Sequence, residues 1–209
     1  MRTFFRSFAV LALIAATAAG LSAQSKATGT QGLGPGEYAT FYTNKGMFVA
    51  QLFPKDAPKS VANFVQLAQG QHPYKNPLTG GLSMDKLYDG LLFFRTVPDY
   101  LLQTGDPLNN GTGRLGYSIP YEKNALKFDT AGRMALAQVP GDPTSRGSQI
   151  FFLLKPAPFM DNHGYLIIGQ IVRGLDVAVA LSQGPRRGGA RDLPAHPNIL
   201  NKVTIENIK

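Results

Sequence analysis

Cysteine and tryptophan are both absent from the 209 residues of the chain, and histidine occurs only three times. Without cysteine the chain cannot form disulfide bonds, thiolate metal sites or a thiol nucleophile. His72, His163 and His196 lie in separate loop-like segments without the spacing of a metal site. The GSQ triplet at 147–149 is not the motif of a serine hydrolase. The sequence therefore predicts no metal, no cofactor and a reaction without bond cleavage.

Acidic residues are scarce, with 13 aspartates and glutamates against 21 lysines and arginines and a formal net charge of +8. The basic residues are scattered, apart from Arg186, Arg187 and Arg191. No stretch has the recognition helix or the interleaved basic and aromatic residues of a nucleic-acid-binding motif. We interpret the charge as favouring solubility and weak attraction, and we expect no nucleic-acid partner.

Long apolar runs are also missing, except for one near the start of the chain. Phe8–Leu21 follows Arg2 and Arg6 and precedes small residues, which is the pattern of a secretory signal peptide. As a helix, this run of about 14 residues spans roughly 21 Å, short of the ~30 Å hydrocarbon core of a bilayer. We predict a cleaved signal peptide over residues 1–23 and a periplasmic or secreted protein with no membrane anchor after cleavage.

Two alternatives stay open for this segment. It could remain uncleaved as an N-terminal anchor, and the cut could follow a residue other than Ala23. Leu21 is larger than the residue preferred at the third position before a cut. Three other cut sites fit the small residues nearby, after Ala18, Gly20 or Ser22.

Removing 23 of the 209 residues leaves 186, a size that suits one domain with its own core. Residues 24–37 are polar and rich in glycine, which is typical of a flexible linker. We therefore predict a single folded domain over residues 38–209, and we expect it to be a monomer.

Periodicity predicts a strand pair followed by a helix at the start of this domain. Residues 40–53 alternate as two strands around a glycine-containing turn. Residues 56–70 then change to a helical period. Pro58 in the first turn and Gly70 after the last turn are the residues that helix ends prefer.

Strand-like runs dominate the rest of the domain. Six of them are separated mostly by clusters of Gly, Pro, Asp and Asn: 91–95, 100–104, 131–137, 149–155, 165–172 and 202–207. A second, short helix is predicted over 175–183, and loops are predicted at 71–90 and 184–198. Because strands and helices do not alternate, the pattern favours a mainly antiparallel sheet, closed or nearly closed, with two helices covering its openings.

The GTGRLG stretch at 111–116 matches the glycine fingerprint of dinucleotide-binding folds. That fingerprint needs a strand before it and a helix after it. Here YSIPYEKN follows, with Pro120 and no helical period. We interpret the match as an ordinary glycine-rich loop. A thermal shift with dinucleotides would identify the alternative, a nucleotide-dependent enzyme.

Two longer stretches carry a resemblance to a known family. They are FFRTVPDYLLQTGDP at 93–107 and GRMALAQVPGDPTSRGSQIFFLLKPAPFMDNHGYLIIGQIVRGLDV at 132–177. Together with the helix phrase APKSVANF at 57–64, they resemble the cyclophilin family of peptidyl-prolyl cis–trans isomerases, with secreted bacterial-type members as the nearest look-alikes. The likeness runs from Thr40 to Ile205. It implies a mainly β fold, a closed eight-stranded antiparallel barrel capped by two α-helices.

The resemblance also implies roles for individual residues. Arg95 matches the catalytic arginine of the family, and Gln103 matches the glutamine that positions it. The other matched positions bind the peptide or line the proline pocket: Tyr100, Leu101, Ala137, Gln138, Gln149, Phe151, Phe159, Met160 and Tyr165. Strand alternation places Leu101 on the same face as Gln103. It likewise places Gln149 and Phe151 on one face, but it does not show that these two faces meet.

The chain departs from the family pattern in places. The family usually has other residues at four positions: Phe94, Tyr100, Thr104 and Ile150. Phe159 stands where some members carry tryptophan, so we expect only weak inhibition by cyclosporin. The loops at 71–90 and 139–147 are longer than in short members of the family.

These matches imply an enzyme that accelerates rotation about Xaa-Pro bonds in extended or unfolded protein chains and assists folding outside the cytoplasm. Its partners would be proline-containing peptides. The alternative is a proline-peptide-binding module or chaperone with little turnover, which an exchange assay with an Arg95→Ala control distinguishes. Without the family phrases, an arginine beside a strand is more often a surface residue or half of an ion pair.

Overall fold

A computed structural model describes residues 29–138, 147–187 and 192–209. The predicted signal peptide at 1–23 and most of the loop at 139–147 lie outside these residues. Within the described ranges, none of the helices has the length and apolar character needed to cross a bilayer.

Strands dominate the described part of the chain. They are β1 (Gly36–Thr43), β2 (Gly46–Leu52), β3 (Tyr74–Lys75), β4 (Leu82–Ser83), β5 (Leu91–Leu92), β6 (Arg95–Val97), β7 (Leu101–Thr104), β8 (Arg133–Leu136), β9 (Ile150–Leu153), β10 (Leu166–Arg173) and β11 (Ile199–Ile208). The helices are α1 (Pro58–Gln69), α2 (Leu175–Ser182) and a short 3₁₀ helix at Pro158–Asn162.

Nine of these strands form one antiparallel sheet, in the order β5-β11-β1-β2-β10-β8-β9-β7-β6. The sheet curls into a half-barrel, and two α-helices pack against it. The prediction of a mainly β fold with two α-helices is therefore confirmed. The prediction of a closed, eight-stranded barrel is wrong, because the sheet has nine strands and two edges.

The opening lies between the edge strands β5 and β6, which are consecutive in the chain. Phe93 and Phe94 separate them, and both side chains are buried. Neither residue belongs to a strand. The Phe93 N–H instead donates to the Asn198 carbonyl, and the Thr96 N–H donates to the Asp192 carbonyl, both at 2.9 Å. Single hydrogen bonds to a loop thus replace a strand ladder at this seam.

The inner core is built around stacked phenylalanines. The rings of Phe41 and Phe48 are parallel with centroids 4.8 Å apart, and Phe152 meets both edge-on at 5.2 and 5.1 Å. From α1, Phe64 stacks on Phe41 at 6.0 Å. Stacked and edge-to-face pairs of this kind contribute beyond the area that they bury. They fix α1 against the concave face of the sheet.

Strands β7 to β10 are buried on both faces. Alternate residues such as Leu102 and Phe152 point into the inner core, whereas Leu101 and Phe151 join a second apolar cluster on the outer face. The loop before β8 and the segment that contains the 3₁₀ helix cover this outer cluster, which includes Phe128, Ala157 and Met160. Burial on both sides explains why these strands read as continuous apolar runs instead of alternating ones.

Both predicted α-helices are present with slightly shorter bounds. In α1, Pro58 occupies the first turn, and Gly70 ends the helix in the left-handed conformation at φ 70°. A residue with a Cβ would be strained there. The second helix, α2, starts after Gly174 and ends one residue before the predicted limit at 183.

The predicted linker at 24–37 contacts the sheet from residue 29 onwards. The Arg173 side chain donates to the carbonyls of Gly29 and Gln31, at 2.5 and 2.9 Å. Strand β1 begins at Gly36, two residues before the predicted start of the domain. The segment before β1 is therefore held against the end of β10.

The two predicted loops contain short pairings that the sequence did not predict. Strands β3 and β4 form a small two-stranded sheet inside residues 71–90. In the 184–198 segment, Arg186 pairs with Pro194 in an isolated bridge. These paired segments are too short to show a periodic pattern in the sequence.

A carboxylate from a distant loop caps the N-terminus of α1. Glu122 accepts hydrogen bonds from the backbone N–H groups of Lys59 and Ser60, at 2.9 and 2.8 Å, and from the Ser60 hydroxyl at 2.6 Å. Partial burial raises the pKa of Glu122, but the three hydrogen bonds and the Lys59 charge outweigh it, so this pKa lies below its ordinary value. The cap ties the 117–127 loop to the helix.

We predict that Glu122→Gln destabilises the protein by about 1 kcal/mol at pH 7, a cost typical of a lost helix cap. Because the folded pKa is lowered, the carboxylate stabilises the fold above its ordinary pKa of about 4.3 and loses this effect as the pH falls through the folded value. The difference between the two proteins should shrink below about pH 4. Denaturant unfolding at a series of pH values measures it, and a constant difference would contradict the cap.

Candidate active site

Cross-strand register brings the predicted catalytic residues into one row. Arg95 on β6 pairs with Gln103 on β7, Gln103 pairs with Phe151 on β9, and Phe151 pairs with Ala135 on β8. Directly paired residues in antiparallel strands present their side chains on the same face. The face that carries Gln103 and the face that carries Phe151 are thus one continuous surface, on the outside of the curled sheet. Strand alternation alone did not connect them.

A chain of side-chain hydrogen bonds runs along this surface. The Arg95 Nη1 donates to Gln103 Oε1 at 3.3 Å, and Gln103 Nε2 donates to Gln149 Oε1 at 3.1 Å. Gln149 Nε2 then donates to the carbonyls of Gly111 and Gly113, at 3.3 and 3.4 Å. Gln103 and Gln149 are both buried, so each amide is held by its partners and not by water.

A small pocket opens beside the guanidinium. It has a volume of about 70 Å³ and is lined by eight of the predicted residues: Arg95, Leu101, Gln103, Ala137, Gln138, Phe151, Met160 and Tyr165. Its floor is the buried Phe151 ring, which Tyr165 meets edge-on at 5.2 Å. Pockets for drug-sized ligands enclose roughly 300–1,000 Å³. This one is suited to a single small apolar ring.

The three remaining predicted residues lie around the pocket without lining it. Gln149 supports Gln103 from behind and borders a neighbouring depression. Phe159 is 64% exposed and stacks on Tyr100, with ring centroids 6.4 Å apart. Burial raises the pKa of Tyr100, and the nearby Arg95 charge partly opposes that rise.

The GTGRLG loop serves as the end of the hydrogen-bond chain. The carboxylate of Asp106 is buried and accepts hydrogen bonds from the N–H groups of Leu108, Asn110 and Gly111. These bonds shape the turn that presents the Gly111 and Gly113 carbonyls to the site. Asp106 closes the stretch that contains Arg95, but nothing in its spacing indicated this role.

Two tyrosines that the sequence analysis did not single out hold the start of β9. Tyr88 donates to the Ser148 carbonyl at 2.8 Å from a fully buried position. Tyr117 donates to Asn63, whose amide donates to the Gly147 carbonyl at 3.0 Å. Burial raises the pKa of Tyr117 to about 12. The hydroxyl therefore stays a donor at any physiological pH.

An ion pair at the pocket was also missed. Arg95 Nη2 lies 3.3 Å from Asp192 Oδ2, and Arg186 Nη1 lies 2.8 Å from the other oxygen of the same carboxylate. The simpler interpretation of Arg95, a half-exposed residue in an ion pair, is therefore also correct. In the described ranges no group of histidine, aspartate and glutamate side chains is arranged to hold a metal ion.

Comparison with known proteins identifies the family of the chain. The model of the family described as cyclophilin type peptidyl-prolyl cis-trans isomerase/CLD matches residues 38–209. The peptidyl-prolyl cis-trans isomerase B of Streptomyces anulatus is 36% identical over 175 residues, which cover 81% of this chain and 96% of that protein. The isomerase A of Mycobacterium tuberculosis is 33% identical, over 80% of this chain and 91% of that protein.

The fold is also that of a solved cyclophilin-type isomerase. A Cryptosporidium parvum protein of this type, crystallised in the presence of the dipeptide Ala-Pro, superposes with a TM-score of 0.68 at 23% identity, over 82% of this chain and 99% of that chain. The chain belongs to the cyclophilin-type peptidyl-prolyl cis–trans isomerases. It is thus an enzyme that interconverts the cis and trans forms of the bond before proline.

We predict that Gly113→Ala lowers both stability and isomerase activity. A Cβ at this position would overlap the buried Asp106 Oδ1, so the loop must shift and the Gly113 carbonyl must leave Gln149. Overpacking of this kind costs about 1–3 kcal/mol. Thermal unfolding and a peptide exchange assay measure the two effects.

The matched control is Gly34→Ala, because no atom lies within 4 Å of a Cβ added at Gly34. This variant should keep the thermal midpoint and the activity of the wild type. Equal behaviour of the two variants would show that the close approach of Gly113 to Asp106 does not matter.

Proposed function

We propose that Arg95 catalyses rotation about Xaa-Pro bonds in extended or unfolded protein chains, with the proline ring held in the pocket over Phe151. The observation that carries the proposal is the guanidinium at the mouth of an apolar pocket of about 70 Å³. A donor beside a hollow of this size fits a proline ring and the imide nitrogen next to it.

The chemistry of the bond explains why a donor is needed there. Rotation has a barrier of about 18–20 kcal/mol because the nitrogen lone pair is delocalised into the carbonyl. In the twisted transition state this delocalisation is lost, and the lone pair becomes a hydrogen-bond acceptor. A group that donates to it binds the transition state more strongly than either ground state, which is the condition for catalysis.

Arginine is well suited to this donation because it is always protonated and offers five N–H groups in a rigid plane. One charge-assisted hydrogen bond contributes only about 1.5–3 kcal/mol. A 10⁵-fold acceleration requires about 7 kcal/mol. The remainder must come from burying the proline ring against Leu101, Phe151 and Met160, and from holding the peptide on one side while the other side turns.

The polar residues at the pocket are suited to hydrogen bonds with the backbone of the bound peptide. Gln138 lies at the pocket and donates to the His163 carbonyl at 3.2 Å through a partly exposed amide. Ala137, directly after β8, also lines the pocket, and Gln149, directly before β9, lies behind it against Gln103. We assign contacts with the peptide on the N-terminal side of proline to these three residues. The Ala-Pro dipeptide used with the Cryptosporidium parvum protein supports a proline-peptide ligand.

We predict that Arg95→Ala lowers kcat/KM about 10- to 100-fold, the equivalent of one charge-assisted hydrogen bond to the transition state. Arg95→Lys should recover only part of this loss, because an ammonium has no planar fork. NMR exchange on an Ala-Pro peptide measures both variants.

A suitable arginine control is Arg173→Ala, which removes hydrogen bonds to Gly29 and Gln31 but lies outside the pocket. It should retain wild-type activity. Equal and slow turnover by the wild type and Arg95→Ala would favour the other candidate, a binding module with little turnover.

We also propose that the chain is exported, loses residues 1–23, and acts as a monomer on folding proteins in the periplasm or outside the cell. The basic start and the apolar run support export. We expect the intact mass of the protein from its native host to lack the first 23 residues and to appear in the periplasmic or secreted fraction. A full-length mass in the membrane fraction would instead indicate an uncleaved anchor.

A further inference from the structure

The ion pair at the pocket carries an inference beyond the family assignment. We infer that Asp192 is a positioning residue for the Arg95 guanidinium. This rests on the proposed function, because it takes Arg95 as the catalytic donor. Asp192 contributes nothing to the pocket wall itself, so its effect on the reaction would pass through Arg95.

The guanidinium is held at both of its terminal nitrogens. Nη1 donates to Gln103 on the sheet side, and Nη2 donates to Asp192 on the loop side, each at 3.3 Å. One contact alone would let the plane swing about that hydrogen bond. Two contacts on different nitrogens fix the orientation of the plane and leave three of its five N–H groups for a substrate.

Asp192 is itself held in place by two contacts besides the one with Arg95. Its second oxygen accepts from Arg186 at 2.8 Å, and its backbone carbonyl accepts from the Thr96 N–H at 2.9 Å. Thr96 directly follows Arg95, so the strand that carries the arginine also anchors the residue that orients it. Flexible surface pairs lack such support.

The flanking backbone adds to this placement. The Arg187 N–H donates to the Leu193 carbonyl, and the Ala195 N–H donates to the Pro185 carbonyl, both at 2.8 Å. Together with the bridge between Arg186 and Pro194, these bonds pair the two arms on either side of Asp192. The carboxylate therefore projects from a segment whose backbone is held by hydrogen bonds to its neighbour.

Stability gains little from this pair because its members are partly exposed. The side chains of Arg95 and Asp192 are 40% and 34% exposed, and ion pairs in such settings contribute little to folding. Orientation matters more for catalysis, where a small misplacement of a reacting group costs up to about 100-fold in rate. The two effects of removing Asp192 are thus expected to separate.

The test measures kcat/KM and thermal midpoint for Asp192→Ala in otherwise wild-type protein. We expect kcat/KM to fall about 10-fold, while the thermal midpoint stays within about 2 °C of the wild type. Asp192→Glu, which keeps the carboxylate, should recover part of the loss. A comparison variant is Asp129→Ala, which removes the 2.8 Å ion pair with Arg133. That variant should keep wild-type activity.

A double-mutant cycle distinguishes action through Arg95 from a general structural effect. In the Arg95→Ala background, adding Asp192→Ala should cause no further loss of kcat/KM. An additive loss, or full activity of Asp192→Ala in the wild-type background, would overturn the inference. If Arg95→Ala itself retains full activity, the proposed function fails instead, so the two failures are distinguishable.

Discussion

The hydrogen-bond chain from Arg95 through Gln103 to Gln149 is the constraint on which the site depends. Each member is held by the next, and the chain ends on backbone carbonyls of the glycine-rich loop. A long, flexible side chain at a strand edge would otherwise sample many rotamers. Its orientation is set before a peptide arrives, so less conformational freedom is lost when the transition state forms.

The second requirement is the apolar cover on the outer face of the sheet. Because strands β7 to β10 are buried on both faces, Phe151 can form the floor of a pocket while Phe152, its neighbour, anchors the inner core. The guanidinium consequently lies beside a surface of low polarity. A proline ring bound there would exclude water from this surface and strengthen the hydrogen bonds made beside it, which favours a donor-based mechanism.

Much of the architecture could be predicted from local pattern alone. Both α-helices and the main strands follow from periodicity and from residues such as Pro58 and Gly70. Local pattern could not decide whether the barrel closes, because closure depends on whether two distant edges of the sheet meet. Phe93 and Phe94 separate the two edge strands, and the backbone next to them makes single hydrogen bonds to a loop.

The sequence by itself determined which side chains are available for the chemistry: an arginine, two glutamines and an aromatic floor in phrases shared with one family. It did not determine how they meet, and it gave no sign of Asp192, which lies 97 residues from Arg95 in the chain. Only the tertiary structure decided these contacts. Cross-strand register and loop placement are set by packing between distant segments, and no local pattern records that packing.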